Sequence, residues 1–66
     1  MIVFINGHEQ DVSENTKLAE LVASVSTAPS GIAVALNEEV VPRSSWTSTT
    51  LRSGSRVEVL TAVQGG

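Results

Sequence analysis

Apolar residues open the chain and are followed at once by a turn signal. Residues 1–5 are all apolar and rich in β-branched side chains, which favours a strand. Asn6-Gly7 comes next, and this dipeptide is typical of a two-residue hairpin turn. Residues 9–12 supply the second arm. The pattern therefore predicts an N-terminal β-hairpin.

A helical periodicity follows the hairpin. Apolar residues recur at i, i+3, i+4 and i+7 and so share one stripe of a helix; they are Leu18, Leu21, Val22 and Val25. The hydroxyl of Thr16 is predicted to cap the free amide groups of the first turn. Glu20 lies near the positive end of the helix but slightly too far along for a capping box. Pro29 and Gly31 then end the helix.

Three further strands are predicted after the helix. Residues 32–36 are apolar, with small alanines at alternate positions. Asn37-Glu38-Glu39 makes a turn into a short strand, residues 40–41, which Pro42 ends because proline cannot donate to a ladder. The last strand, residues 56–63, follows a turn at residues 52–55 and shows the alternation of a strand.

A polar segment, residues 43–50, separates the last two strands and surrounds Trp46. It is predicted to form a turn or one short helical turn. A tryptophan in such a loop usually anchors the loop on the core, and Arg43 is expected to satisfy nearby carbonyl groups. Both residues are therefore interpreted as structural.

The element order ββαβββ predicts an α+β fold of the ubiquitin-like β-grasp type. One helix crosses a mixed sheet whose first and last strands are adjacent at its centre, which satisfies the right-handed crossover rule. Ile2, Phe4 and Leu60 are expected to face outward from the sheet. The inward phase of each element gives the predicted core: Val3, Ile5, Leu18, Leu21, Val22, Val34, Leu36, Val57 and Val59.

Composition and charge exclude several classes of function. A chain of 66 residues is one small domain that buries about 60% of the surface of its unfolded chain. With 41% hydrophobic and 17% charged residues and a net charge of −3, it should fold and be soluble. Its four basic residues are scattered, which argues against a nucleic-acid partner. No apolar run approaches the length of a membrane span, so the protein is expected to be cytoplasmic.

The side chains needed for most enzyme chemistry are missing. The sequence has no cysteine and a single histidine, His8, so no thiol nucleophile exists and a zinc site cannot be completed. His8 is expected to be a turn residue in solvent. Glu38 and Glu39 are interpreted as a solvated turn, not a catalytic carboxylate pair. A hydrolase is a poor fit, because the parts of a catalytic triad are absent.

Gly65-Gly66 ends the sequence behind an apolar strand. One explanation is an ordinary frayed terminus or a remnant of cloning, because chain ends tolerate small residues. The other is that the terminal carboxylate is the working group, since residues without Cβ can enter a narrow channel that side chains would block. Residues 62–66 are then a flexible tail, in which Val63 and Gln64 either form a tether or simply fray.

Phe4 and Leu60 are the candidates for a docking surface, as a pair on the exposed face of the sheet. Exposed apolar clusters beside polar residues commonly mark partner sites. The alternative is that neighbouring loops cover both side chains.

The whole chain resembles the ThiS family of sulfur carriers within the ubiquitin-like β-grasp group. The resemblance rests on the opening strand with Asn6, on residues 34–43 (Val-Ala-Leu-Asn-Glu-Glu-Val-Val-Pro-Arg) with Trp46 after them, and on Leu-Arg-Ser-Gly at residues 51–54 with the final diglycine. The middle block separates the chain from the small subunit of molybdopterin synthase. Ser55 is a departure, because relatives often have aspartate after the turn glycine.

The resemblance implies a role in making the thiazole ring of thiamine. An ATP-dependent adenylating enzyme of the ThiF type would activate the Gly66 carboxylate. A sulfur donor, such as a cysteine desulfurase system, would convert it to a thiocarboxylate that passes sulfur to thiazole synthase, ThiG. The chain would bind no cofactor itself and would be a protein co-substrate, with no catalytic residue of its own.

The residues are also compatible with two other roles. One is a sulfur carrier of the MoaD type, the small subunit of molybdopterin synthase. The other is a ubiquitin-like modifier, in which the activated glycine joins a lysine amine of another protein. A modifier would give covalent conjugates, and a sulfur carrier would not.

Overall fold

A computed structural model describes residues 1–25 and 31–61 of the chain. The described elements are β1 (Ile2–Ile5), β2 (His8–Asp11), α1 (Leu18–Val25), β3 (Ile32–Leu36), β4 (Glu39–Val40), a 3₁₀ helix (Arg43–Ser48) and β5 (Arg56–Thr61). The predicted order of one hairpin, one helix and three further strands is confirmed. The short helical turn predicted around Trp46 is the 3₁₀ helix.

The strands form one mixed sheet in the order β2-β1-β5-β3-β4. The first and last strands pair in parallel at its centre, and all other neighbours are antiparallel. A parallel pair requires the chain to cross over the sheet between the two strands, and α1 lies within that crossover. The predicted β-grasp architecture is therefore confirmed.

The core lies between the sheet and the helix. Seven of the nine predicted core residues are buried, and the other two, Leu36 and Val59, are partly buried against them. Trp46 and Leu51 are also buried, although neither belongs to a strand or to α1. Val25, predicted on the apolar stripe, is 45% exposed at the end of α1. Each fully buried aliphatic side chain contributes about 1.5–3 kcal/mol, so these few residues dominate the stability of this small domain.

The two hairpins turn through residues with positive φ at both central positions. These are Asn6 (φ 49°) and Gly7 (φ 84°) after β1, and Asn37 (φ 50°) and Glu38 (φ 74°) after β3. Positive φ at both positions is the requirement of the type I′ turn, whose twist matches that of paired strands. The second turn is one residue shorter than predicted, because Glu39 already pairs with Leu36.

The start of α1 differs from the prediction. The Thr16 hydroxyl donates to the carbonyl of Ser13 at 2.6 Å and so does not accept from the helix. Glu20 instead reaches back, and its Oε1 accepts from the backbone amide of Lys17 at 2.9 Å. This contact is one half of a capping box, with Lys17 at the cap position. The prediction failed because it placed the cap one residue too early.

Trp46 anchors the 3₁₀ helix on the core, as predicted. Its indole is buried, and Nε1 donates to the carbonyl of Val41 at 2.8 Å. The guanidinium carbon of Arg43 lies 5.5 Å from the ring centroid, a cation–π distance. The role of Arg43 is thus structural, through the indole ring.

No helix in the described ranges is long and apolar enough to cross a bilayer.

Candidate functional site

The candidate site is the sheet face that turns away from α1, here called the outer face. Side chains alternate between the two faces along a strand, and Val3, Ile5 and Val57 take the buried face. The outer face therefore carries Ile2 and Phe4 of β1, Glu58 and Leu60 of β5, Ala33 and Ala35 of β3, and Val40 of β4. Ile2 is 39%, Leu60 66% and Val40 78% exposed, and Phe4 is half-buried. The outward orientation predicted for Ile2 and Leu60 is confirmed.

Phe4 and Leu60 were predicted as a pair on the exposed face. They share this face but are not cross-strand partners. Phe4 pairs with Arg56 across the parallel ladder, and Leu60 pairs with Ala33 on the other side of β5. Leu60 follows Arg56 by four positions, or about 13 Å along the strand. The two side chains are therefore separate apolar points on the outer face, with Arg56 and Glu58 of β5 between them in register. The register of the parallel pair of β1 and β5 cannot be inferred from the sequence, so the distance between Phe4 and Leu60 could not be predicted.

A shallow groove runs beside Phe4 at the turn end of the outer face. Its volume is about 270 Å³. It is lined by Phe4, Gly7, Glu38, Arg56, Val57 and Glu58. The groove therefore combines one aromatic ring with two carboxylates and one guanidinium.

Carboxylates surround the outer face. Glu9 pairs with Phe4 and Asp11 with Ile2 across the first hairpin, and directly paired residues project from the same side of a sheet. Glu58 lies on β5 between Phe4 and Leu60 in register. Asp11 also accepts from the amino group of Met1 at 3.3 Å, but the Asp11 side chain is well exposed, so this ion pair contributes little. The face thus carries exposed apolar side chains among three carboxylates and the guanidinium of Arg56.

The other polar candidates, His8, Glu38 and Glu39, are all exposed. His8 is exposed but is the first residue of β2, so the prediction of a turn position was wrong by one residue. Glu38 and Glu39 are both exposed at the second hairpin, as predicted. In residues 1–25 and 31–61, no group of three His, Cys, Asp or Glu side chains is placed to hold a metal ion.

The turn before β5 is held by Ser55, the one departure from the expected family pattern. Ser55 is buried, and its Oγ accepts from the backbone amide of Arg52 at 2.9 Å. An aspartate carboxylate could accept the same bond, so serine keeps the turn with a smaller neutral group.

Two asparagines of the hairpin turns bind β5 through their side chains, and these contacts were not predicted from the sequence. The Oδ1 of Asn37 accepts from the amide of Arg56 at 2.9 Å. The Oδ1 of Asn6 accepts from the amide of Val59 at 2.9 Å. Each asparagine is the first central residue of a hairpin turn, which marks the position in the sequence. The strand that it binds is remote in sequence, so local patterns could not predict the contact.

The last strand is shorter in the described residues than the sequence predicts. β5 is described to Thr61, which pairs with Ile32 of β3. The predicted strand continued to residue 63. The predicted tail residues, Val63, Gln64, Gly65 and Gly66, lie outside the described residues.

Comparisons with known proteins agree on one family. The ThiS family model matches residues 3–66. The crystal structure of the thiamine biosynthesis protein ThiS from Geobacter metallireducens is 32% identical, with a TM-score of 0.83 over the whole of both chains. An NMR solution structure of a thiamine biosynthesis protein from the same organism gives a TM-score of 0.80 at 32% identity, covering this chain fully and 88% of the other.

A longer relative also matches. A thiazole synthase of Paramagnetospirillum magneticum is 29% identical over 66 residues, which is all of this chain and 20% of that protein. The chain thus spans about a fifth of the length of this curated relative. The family model covers nearly the whole sequence, and a structure of similar length shares the same fold. The chain therefore belongs to the ThiS family.

Proposed function

We propose that this chain is a sulfur carrier protein of thiamine biosynthesis that works through the carboxylate of Gly66. The observation that carries the proposal is the extent of the family match, residues 3–66, which includes Gly65-Gly66. The fold and the exposed outer face support the same role, because they offer a surface on which a partner can dock.

The proposed chemistry begins with activation of a stable acid group. A carboxylate resists nucleophiles, because its charge is shared between two oxygens. One of these oxygens attacks the α-phosphorus of ATP on an adenylating partner of the ThiF type, and pyrophosphate leaves. The product is an acyl adenylate, in which AMP is the leaving group.

Sulfur then replaces one oxygen. The terminal sulfur of a persulfide on the sulfur donor, for which we propose a cysteine desulfurase system, attacks the acyl carbon, and AMP departs with the bonding electron pair. A thiol then reduces the resulting acyl disulfide, which releases the thiocarboxylate and leaves a disulfide between the donor and that thiol. The resulting thiocarboxylate remains anionic and nucleophilic. The chain is a co-substrate in this scheme, and ATP and all catalytic groups are held by its partners.

The outer face is proposed to dock these partners. Phe4 and Leu60 would each contact an apolar part of the partner, and the carboxylates of the face, which outnumber its one guanidinium, favour a partner with basic residues near that contact. Gly65 and Gly66 suit the step that follows docking, since chains without Cβ can enter a narrow channel. Val63 and Gln64 would join the sheet to that channel.

Thiazole synthase, ThiG, is the proposed acceptor of the sulfur. A segment similar to the whole of this chain lies within a thiazole synthase of P. magneticum, which supports association of the two activities. The thiocarboxylate would supply the sulfur of the thiazole ring.

Intact-mass spectrometry tests the proposal. The purified chain is first weighed to establish that it ends at Gly66, and is then incubated with ATP, the adenylating enzyme and a sulfur donor. The expected product has one oxygen replaced by sulfur, mapped to residue 66 by fragmentation, and omission of ATP abolishes it. A chain that stays unmodified, or that appears as conjugates on lysines of other proteins, would contradict the proposal and in the second case indicate a modifier.

A further inference from the structure

Asn6 extends the pairing of the two central strands beyond the end of β1. The backbone amide of Phe4 donates to Ser55, and that of Asn6 donates to Val57, both at 2.8 Å. The next contact is made by a side chain. The Oδ1 of Asn6 accepts from the amide of Val59 at 2.9 Å, and its Nδ2 donates to the carbonyl of Val59 at 3.3 Å.

The carboxamide of Asn6 thus replaces a peptide group in the ladder. It offers one acceptor and two donors, and here it meets both backbone groups of a single residue. The positive φ of Asn6, 49°, turns the main chain into the hairpin while the side chain continues toward β5. Asparagine tolerates this left-handed conformation better than most residues.

This contact lies two residues before the described end of β5 at Thr61. Beyond Val59, the described pairing of β5 is with β3 alone, through Leu60 with Ala33 and Thr61 with Ile32. Ile32 is itself the first residue of β3. Among the described residues, Asn6 is therefore the last group on the β1 side that fixes β5 before the sequence continues into residues 62–66.

We infer that Asn6 is a positioning residue for the carrier tail, an inference that rests on the proposed function. By holding Val59 from the β1 side, it sets the position and direction in which β5 leaves the sheet. A carboxylate at residue 66 reacts only when it lies close to the phosphorus of ATP and in line with it. A strand end held on both sides raises the fraction of docked carriers that reach this geometry.

Asn37 provides a control within the same molecule. It has nearly the same φ, 50°, in the other hairpin turn, and its Oδ1 accepts from a β5 amide at the same distance, 2.9 Å. Its partner is Arg56, at the opposite end of β5. Removing the Asn37 side chain takes one bond from β5 and removing the Asn6 side chain takes two, but only the contact of Asn6 lies near the described end of the strand.

The test compares Asn6→Gly with Asn37→Gly, because glycine adopts positive φ without strain. Pyrophosphate release by the adenylating enzyme is measured against carrier concentration. For Asn6→Gly, kcat is expected to fall about tenfold, the factor that corresponds to about 1.4 kcal/mol, while KM stays within about twofold because the outer face is unchanged. For Asn37→Gly, both constants should stay within about twofold, although this variant also loses a hydrogen bond to β5.

Equal kcat values for the two glycine variants would overturn the inference, as would a change in KM alone for Asn6→Gly. If Asn6→Gly does not fold, the pair Asn6→Asp and Asn37→Asp decides. Aspartate keeps the acceptor for the β5 amide, but Asn6→Asp loses the Nδ2 donor to Val59, so its kcat should fall below that of wild type while Asn37→Asp keeps the wild-type kcat; equal kcat values for these two variants would overturn the inference. A wild-type chain that releases no pyrophosphate would instead contradict the proposed function, whatever Asn6 does.

Discussion

The two faces of the sheet use similar side chains for different purposes. On the inner face, Val3, Val34 and Val57 are almost completely buried beneath α1 and the 3₁₀ helix. On the outer face, Leu60 and Val40 are largely exposed, although they are equally apolar and occupy the same strands or their neighbours. Folding requires only the first set to leave water. The second set stays exposed, which supports the proposal that the outer face docks a partner.

Truncating one leucine on the helix side of the sheet and one on the outer face should give the largest difference in stability between the two faces. Leu18 is fully buried, and Leu18→Ala is expected to lower the free energy of unfolding by about 2–5 kcal/mol. Leu60→Ala should change it by less than about 0.5 kcal/mol. Urea denaturation of both variants measures this difference. Equal losses of stability would show that the outer face also belongs to the core.

The second test concerns Gly66, which belongs to neither face. Gly66→Ala should leave the urea midpoint unchanged and slow adenylation about a hundredfold, or about 2.7 kcal/mol, because a Cβ obstructs the approach of the carboxylate to the nucleotide. Pyrophosphate release with the adenylating enzyme measures the rate. Normal release by this variant would show that the last residue does not enter a narrow channel.

A charge placed on the outer face should weaken docking without unfolding the domain. Leu60→Glu is expected to weaken the affinity for the adenylating enzyme at least about tenfold, or about 1.4 kcal/mol, because a carboxylate would lose water in an apolar contact. Isothermal titration calorimetry measures this change. Val25→Glu is the matched control, since Val25 is exposed at the end of α1 on the helix side. Unchanged affinity of Leu60→Glu would remove Leu60 from the interface.

The smallest expected effect tests the carboxylates of the same face. Glu58→Gln keeps the shape of the side chain and removes its charge, so the association rate with the adenylating enzyme should fall about twofold at low salt and converge with that of wild type at high salt. Stopped-flow measurements at two ionic strengths detect this. An effect independent of salt would indicate a direct contact and not a long-range attraction.

The regular elements were predictable because their signals are local. Asn6-Gly7 marks the first hairpin, the spacing of Leu18 to Val25 marks the helix, and alternation marks β5. These periods follow from backbone geometry and need no knowledge of the rest of the fold. The inward phase of each element then gave most of the core.

The remaining features depend on contacts between residues remote in sequence. Leu51 is buried by packing against other elements, and no periodic pattern indicates it. The anchoring role of Trp46 was predicted from its residue type, but not the elements against which it packs. The separation of Phe4 from Leu60 follows from the register of a parallel pair, which the crossover sets. The contact of Asn6 with Val59 joins opposite ends of the chain. The predictions for residues 63–66 fall outside the described residues and stay predictions.

Trp46 has a practical consequence for all of these measurements. It is the only tryptophan in the sequence, and its indole is enclosed on the helix side of the sheet, under the guanidinium of Arg43. Its fluorescence should therefore respond when the core opens to water and stay constant when a protein covers the opposite side. With a partner labelled by a separate dye, one cuvette can report folding and association as two independent signals.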